Sequence, residues 1–462
     1  MRLSFRVTYL ATLVFSAGCS VGPHYRSPQQ QVSQFHEAPP ELTTSTSVDP
    51  RWWQQLDDSV LDSLIQTSLK SNNDVAVSLA RLQEARSVFD ERKLDKYPVA
   101  PVNASYSYSR EQVPGFYDKP ASINTFRTGF DAVWETDLFG GVRHGIAAAQ
   151  RASEAAAADV QSVKVSVVAE LALNYFEMRS AQWRLDVAQR TVANQKDTLR
   201  ITQYRRDAGV GEVQDVASAA ARVAAVEATI PPLEFEIKRA QYRISVLSNV
   251  KPGELTVDLS PRSYQPIDKM LAIGKPEELL QRRPDVLAAE RRLAEASETV
   301  GVARAQEFPQ VSVSAFIGFL AGRGSTFFTP DSLGASIGPS ISWSAFDLGR
   351  TRARLRGAKA SFDESTASYQ GVVLQALEET EDSFAEYRSQ RERLGHLMTQ
   401  AHESKHAADI ARLRYREGVI EFLTLLDAER TELDAENGVA TTEGDEYIAI
   451  VRIYKALGGI PR

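Results

Sequence analysis

A pattern repeated at a spacing of about 210 residues runs through this 462-residue chain and limits it to an architecture built from two copies of one unit. Leu82-Gln83-Glu84-Ala85 stands ahead of Tyr97-Pro98, and Leu293-Ala294-Glu295-Ala296 stands ahead of Phe308-Pro309, with an offset of 211 in both pairings. Trp134 with Asp137-Leu138-Phe139-Gly140 answers Trp343 with Asp347-Leu348-Gly349. Tyr204-Arg205-Arg206-Asp207-Ala208-Gly209 answers Tyr415-Arg416-Glu417-Gly418. Trp134 to Gly209 and Trp343 to Gly418 both span 75 residues, and Glu170 and Glu379 keep the same 209 offset. The expected organisation is a first repeat over 57–250, a linker over 251–276 and a second repeat over 277–462. The linker holds Pro252, Pro261, Pro266 and Pro276, residues that interrupt regular structure.

Each repeat reads as helix, strand, strand, long helix, returning helix. The strands are the clearest part. Val102, Ala104, Tyr106 and Tyr108 alternate with Asn103, Ser105, Ser107 and Ser109, and Phe126, Thr128, Phe130, Ala132 and Trp134 alternate with Arg127, Gly129, Asp131, Val133 and Glu135. In the second repeat Val311, Val313, Ala315, Ile317 and Phe319 share one face, and Leu333, Ala335, Ile337, Pro339, Ile341 and Trp343 share another. Such alternation over about ten residues, with aromatics near the ends, is the pattern of a transmembrane barrel strand. A half-buried soluble sheet alternates in the same way, so the pattern alone leaves both readings open.

No segment after the N-terminus supplies the roughly 20 apolar residues of a membrane helix. A membrane-crossing mature chain must therefore cross as strands closed into a barrel. Four strands are too few, because membrane barrels begin at about eight. The membrane reading demands several copies: three would give twelve strands, two would give eight.

The helices point the same way. From about Ile146 to Asp207 there is neither Pro nor Gly, a run of roughly 90 Å at about 1.5 Å per residue. The second repeat matches it from about Arg352 to Arg416, with Gly357, Gly371 and Gly395 inside. A Gly-containing turn and a returning helix follow each. On the first returning helix Val216, Ala219, Val223, Val226, Ile230, Leu233, Ile237, Ala240, Ile244 and Leu247 hold a 3-4 spacing, the seam of a coiled coil. Pro231-Pro232 predict a bend in it. Leu426, Leu433, Ala440, Tyr447 and Tyr454 recur every seven residues on the second. The unit's first helix, about Leu61 to Lys96, and its returning helix together match the long helix in length, so each repeat offers two columns of equal length.

The N-terminus carries an address. Arg2 and Arg6 precede an apolar stretch from Val7 to Ala17, which ends in Ala17-Gly18. It is too short to span a bilayer and has the form of an export signal. The only cysteine, Cys19, follows directly. That order reads as a lipoprotein signal over 1–18 and a lipidated, extended segment over 19–56, although Ser16 stands where such signals usually carry leucine. A single cysteine excludes internal disulfides and thiolate-rich metal sites. A net charge of −7 gives no basic face for nucleic acid.

One motif points elsewhere. His402-Glu403-Ser404-Lys405-His406 matches H-E-x-x-H, two imidazoles one helical turn apart with a glutamate as base. A zinc metalloprotease is thus a rival from another functional class. The motif lies on the long helix among Gln400, Lys405, Asp409 and Arg412 and lacks an evident third ligand. No nucleophile–histidine–acid set and no phosphate loop accompany it. The expectation is no enzyme, no metal and no cofactor.

Motifs spread over the whole chain carry a family resemblance. Gly18-Cys19-Ser20-Val21-Gly22-Pro23-His24-Tyr25, then Pro28, opens the mature chain. Gln281-Arg282-Arg283-Pro284-Asp285-Val286, with Ala289-Glu290, opens the second repeat. Arg414-Tyr415-Arg416-Glu417-Gly418 and Phe422-Leu423-Thr424-Leu425-Leu426-Asp427-Ala428-Glu429-Arg430 form its hairpin, and Val451-Arg452-Ile453-Tyr454-Lys455-Ala456-Leu457-Gly458-Gly459 closes it. Together these resemble the TolC-like outer-membrane efflux factors, in the lipoprotein branch that serves resistance-nodulation-division pumps.

The resemblance implies an α+β membrane protein, mostly α. Two tandem repeats would give four barrel strands and long coiled-coil helices per chain. A homotrimer would share a 12-stranded outer-membrane β-barrel continued by a periplasmic α-helical barrel. The implied function is that of the outer-membrane channel of a tripartite efflux pump, passively exporting small toxic compounds, drugs or metals. Its partners would be a periplasmic adaptor, an inner-membrane resistance-nodulation-division pump and outer-membrane lipid. A conduit for a protein-secretion system is the alternative within transport. By motif, Leu423, Asp427 and Arg430 fall on the constricting positions of a periplasmic gate, and Tyr415 and Arg416 on contacts that restrain it. Three Asp427 carboxylates about a threefold axis would set ion preference. Asp427 and Arg430 also have the i, i+3 spacing of an ordinary helix-surface pair. The hairpin turns Gly209, Val210, Gly211, Gly418, Val419 and Ile420 are the candidate adaptor-docking sites. The stretches 110–124 and 321–332 read as extracellular loops.

Overall fold

The computed structural model describes residues 21–28, 34–40, 43–46, 48–112, 119–267 and 270–459. The expected signal peptide over 1–18 and the expected lipidation site Cys19 lie outside the described residues. The strands are β1 (Thr43–Thr44), β2 (Val102–Glu111), β3 (Ala121–Thr136), β4 (Leu271–Ala272), β5 (Gln310–Ala321) and β6 (Leu333–Ser342). The helices are α1 (Ser59–Ser71), α2 (Asn73–Leu94), α3 (Gly141–Asp207), α4 (Val213–Glu227), α5 (Ile230–Leu247), α6 (Leu279–Arg282), α7 (Pro284–Ala305), α8 (Leu348–Arg416) and α9 (Phe422–Ala456). Two compact units result, and each draws on both sequence repeats. One takes the chain up to Pro28, Arg81–Ala157 and Ala288–Gln370, and the other takes Gln29–Ala80, Ala158–Leu287 and Gly371–Arg462.

The first unit is organised by one antiparallel sheet in the order β2-β3-β5-β6. Its register puts Val102 beside Phe130, Phe130 beside Ile317 and Ile317 beside Ala335. Most apolar residues of the four strands therefore share one face, while Val133, Phe316 and Leu320 lie on the other. The shared apolar face is bare: Ile337 is 79% exposed and Ile341 72%. On the opposite face Arg127 pairs with Asp131, Asn103 Nδ2 donates to Asp131 Oδ2 at 3.0 Å, and Ser312 and Ser340 hydroxyls lie 2.8 Å apart. Gly129 opposes Gly318 there. A Cβ on Gly318 would stand 2.2 Å from the Thr128 carbonyl oxygen, so only glycine fits. Next to the sheet, Val21 N–H donates to Phe139 O at 3.1 Å and Tyr25 Oη donates to Glu290 Oε1 at 2.6 Å. The chain just after Cys19 is thereby pinned beside the end of β3.

The second unit is helical. Its core packs Trp52, Leu61, Leu64 and Ile65 against Tyr175, Phe384, Tyr387, Ile450 and Tyr454. Trp52 stacks on Tyr454 with 5.0 Å between ring centroids, and Phe176 on Tyr447 with 4.4 Å. Gly444 lets α9 press against α3, since a Cβ there would lie 2.3 Å from Ser180 Cβ. The Arg283 guanidinium reaches Asp285 and Glu379, each at 2.7 Å, and the Ala456 carbonyl at 3.0 Å. The motif opening the second repeat is thus a structural pin. β1 and β4 pair in parallel, tying the N-terminal segment to the linker.

The stretch 110–124, expected as a loop, is partly strand, with Arg110 beside Ser122 and Glu111 beside Ala121, and three helix boundaries also differ from the sequence reading. The repeat's first helix divides at Asn72, whose side-chain oxygen caps α2 by accepting from Asp74 N and Val75 N. The returning helix divides rather than bends at Pro231-Pro232, with proline in the first turn of α5. Prolines at that position lack only N–H groups that have no helical partner anyway. Both long helices begin earlier than expected, over 67 and 69 residues. The α3 start is fixed by Asp137, whose carboxylate accepts from Val142 N and Arg143 N.

Candidate functional site: the hairpin turns

Each long helix ends in a glycine in the left-handed region, Gly209 at φ +78° and Gly418 at φ +74°. Gly209 N donates to Arg206 O and Val210 N to Arg205 O; Gly418 N donates to Tyr415 O and Val419 N to Arg414 O. This is the glycine-terminated helix cap that satisfies the last carbonyls. The matched bonds align the turns at an offset of 209. Tyr415 is therefore the counterpart of Arg206 and Leu413 of Tyr204, the offset that the equal spans from Trp134 and Trp343 also give. Beyond the caps, Val210 is 67% and Val419 61% exposed, whereas Ile420 is half-buried against the cluster below the turn.

The proposed gate residues separate into two groups. Leu423, in the first turn of α9, is 63% exposed. Arg430 Nη2 donates to Asp427 Oδ1 at 3.1 Å, and both side chains are well exposed. Tyr415 faces inward, buried with Ala219, Ala411, Phe422 and Leu425. Its hydroxyl donates to Thr202 Oγ1 at 3.4 Å, and Arg416 beside it is exposed. Among the described residues of one chain, no hydrogen bond or ion pair joins Tyr415 or Arg416 to Asp427 or Arg430.

Residues the sequence reading missed hold the two hairpins together. Arg205 Nη1 donates to Tyr415 O at 2.5 Å, while its guanidinium lies over the Tyr415 ring, 4.7 Å from the centroid. It thus supplies a donor to the α8 C-terminus, where a cation is favourable. Glu429 on α9 is only 1% exposed. It accepts from Gln195 Nε2 at 3.0 Å, Thr198 Oγ1 at 2.9 Å and Arg412 Nε at 3.0 Å. Arg412 also holds Glu432 and Asp409. Burial alone would lower the Arg412 guanidinium, but Glu432 and Glu429 outweigh it and raise it above its ordinary value. Burial pushes the Glu432 carboxyl up, against the pull of Arg412. A cavity of about 210 Å³ adjoins the group, lined also by Arg190, Lys405 and Glu436. The one available signal was Glu429, Glu432 and Glu436 sharing a helix face otherwise apolar.

The H-E-x-x-H motif lies on the open surface of α8. The His402 side chain is 82% and that of Glu403 71% exposed. No group of three metal-ligating side chains occurs among the described residues.

The sequence profile of a family described as outer membrane efflux protein matches residues 64–250 and 276–459. The chain is 27% identical to outer membrane protein OprJ of Pseudomonas aeruginosa, covering 99% of this chain and 96% of OprJ. It is 28% identical to the probable efflux pump outer membrane protein TtgC of Pseudomonas putida, covering 97% and 94% respectively. Among solved structures, the outer-membrane channel OprN superposes with a TM-score of 0.93 at 46% identity, covering 96% of this chain and 99% of that one. The outer membrane channel CmeC of Campylobacter jejuni shares the fold at 22% identity and a TM-score of 0.86, covering 96% and 95%.

Proposed function

Because the chain belongs to the outer membrane efflux protein family and is an outer-membrane efflux channel of a Gram-negative bacterium rather than an enzyme, we propose that three copies close one shared barrel and that the α8–α9 hairpin gates its periplasmic end. The four-stranded sheet carries this reading. It has open edges at β2 and β6 and a bare apolar face. In lipid, unpaired strand edges are prohibitively costly, so the edges must pair with other copies. Three sheets give twelve strands, with the Arg127 and Asp131 face toward water.

In the closed channel the exposed Asp427–Arg430 pair and Leu423 line the constriction, with Tyr415 and Arg416 beside the turn that positions them. The exposed turns Gly209-Val210-Gly211 and Gly418-Val419-Ile420 dock a periplasmic adaptor, which links the channel to an inner-membrane resistance-nodulation-division pump. Cys19 carries a lipid anchor at the inner leaflet, consistent with Val21 held beside the end of β3. The cargo is small toxic compounds, in keeping with relatives named for toluene and antibiotic efflux. In domain terms the chain is a signal over 1–18, a lipidated segment over 19–56, repeats over 57–250 and 277–462, and a linker over 251–276.

The test is single-channel conductance of the detergent-extracted protein in planar bilayers, alongside its native mass. A trimer of small, cation-preferring conductance that rises in Asp427→Ala or Arg430→Ala supports the proposal. A monomer or dimer without conductance sinks it.

A further inference from the structure

We propose that Glu429 is a latch: a positioning residue that seats α9 on α3 and thereby holds the constriction at Asp427–Arg430 closed. The inference rests on the gate reading above and adds to it the residue that stores the closed state.

Four observations carry it. First, Glu429 joins three helices at one carboxylate, taking donors from Gln195 and Thr198 on α3 and from Arg412 on α8. A buried carboxylate is stable only while such donors surround it. Second, the α3–α9 contact changes character along its length. At Ser180–Gly444 and Phe176–Tyr447 it is tight and apolar. Near the turn a small apolar cluster gathers around Tyr415 and Phe422. Between them the contacts are polar: Glu429 with Gln195 and Thr198, and Arg190 Nη1 with Glu436 at 3.3 Å. Charged groups regain hydration when they separate, so a polar joint can part and reseat where an apolar one resists parting.

Third, water has a place to enter. The cavity of about 210 Å³ lies against Glu429, Glu432 and Arg412, and Arg190 and Lys405 on its wall offer the carboxylates alternative cations. Fourth, only one repeat has the device. At the 209 offset Glu429 corresponds to Ala220, Thr198 to Ala407 and Arg412 to Gln203. The first hairpin thus has no carboxylate to latch, which matches a design in which the second hairpin moves and the first stays. On α9 the side chains of Asp427 and Arg430 point to solvent while Glu429 points into the joint. Releasing Glu429 therefore displaces the constriction residues with it.

The experiment compares trimers of the full chain in planar bilayers: wild type, Asp427→Ala, Glu429→Ala, and a Thr198→Cys/Glu429→Cys pair bridged by a short bis-methanethiosulfonate. Losing a charge-assisted network present only in the closed state is expected to raise open occupancy about tenfold. Glu429→Ala should open, the bridged pair should stay at wild-type conductance, and reductant should release it to the open level. A purely structural role would not give that reversible rescue. If Asp427→Ala opens while a correctly assembled Glu429→Ala does not, the latch is wrong and the gate stands. If neither opens, gate and latch fall together. Should Glu429→Ala not assemble, the bridged pair decides: no rise on reduction overturns the latch.

Discussion

Trp134 and Trp343 make the same hydrogen bond from equivalent places in the two repeats. Trp134 Nε1 donates to the Lys96 carbonyl at 3.0 Å, and Trp343 Nε1 donates to the Glu307 carbonyl at 3.1 Å. Both acceptors stand immediately before an aromatic-proline pair, and both rings remain substantially exposed. An indole with its N–H satisfied and its ring uncovered suits the boundary between lipid and water, where barrel proteins concentrate aromatics.

Replacing either ring by phenylalanine removes the bond and keeps most of the apolar surface. Trp134→Phe and Trp343→Phe should each cost about 1 kcal/mol. The dissociation temperature of the proposed trimer in detergent reads this, and the two effects should be alike. Strongly unequal effects would show that the repeats are not equivalent at this level.

Gly318 has no room for a side chain against Thr128 and Gly129. Gly318→Val should prevent correct pairing of β3 with β5. On unheated gels the proposed trimer should be missing and the chain should be protease-sensitive; a variant that assembles as wild type does would show that this register is wrong.

At Gly444 the obstacle is one side chain, that of Ser180. Gly444→Ala should destabilise by about 1–3 kcal/mol, the usual cost of overpacking. Ser180→Gly in the same chain should recover most of it. A double variant no better than the single would place the strain elsewhere.

Glu443 gives a pH dependence. Burial, with Glu446 beside it, pushes its carboxyl up to about 7. The folded protein therefore holds this proton more tightly than the unfolded chain. The stabilising contribution is full below the unfolded carboxyl range and is lost as pH rises toward 7. Glu443→Gln should flatten the melting temperature against pH between about 4.5 and 7; an unchanged slope would assign it to other groups.

If Asp427 lines the constriction as proposed, its charge should set ion preference. Asp427→Asn in a salt gradient should move the reversal potential toward zero from the cation side. A variant that conducts more but selects as before would remove Asp427 from the narrow point.

The strands and the long helices were legible because period-two alternation and unbroken helical runs are local signals, and the repeat confirmed each in duplicate. The seam from Val216 to Leu247 is buried or half-buried throughout, as its spacing predicts. What escaped depended on distant partners. Ser71-Asn72-Asn73-Asp74 carries the residues of a helix cap, a signal outweighed by the apolar pattern on either side; the division there is held by Ser68 Oγ and Asn72 Nδ2 donating to Leu247 O. Arg205 reads as one more basic residue at a helix end until Tyr415 is brought beneath it. Glu429 reads as solvated helix charge, because burial of a carboxylate depends on donors 17 to more than 200 residues away.

The open edges of the sheet have a consequence for the life of the molecule. Among the described residues, a single chain carries unpaired backbone at the outer edges of β2 and β6 and an uncovered apolar face. In the proposed shared barrel its completion is an encounter between copies, so its stability scales with how many are present. For a protein built this way, dilution acts as a denaturant.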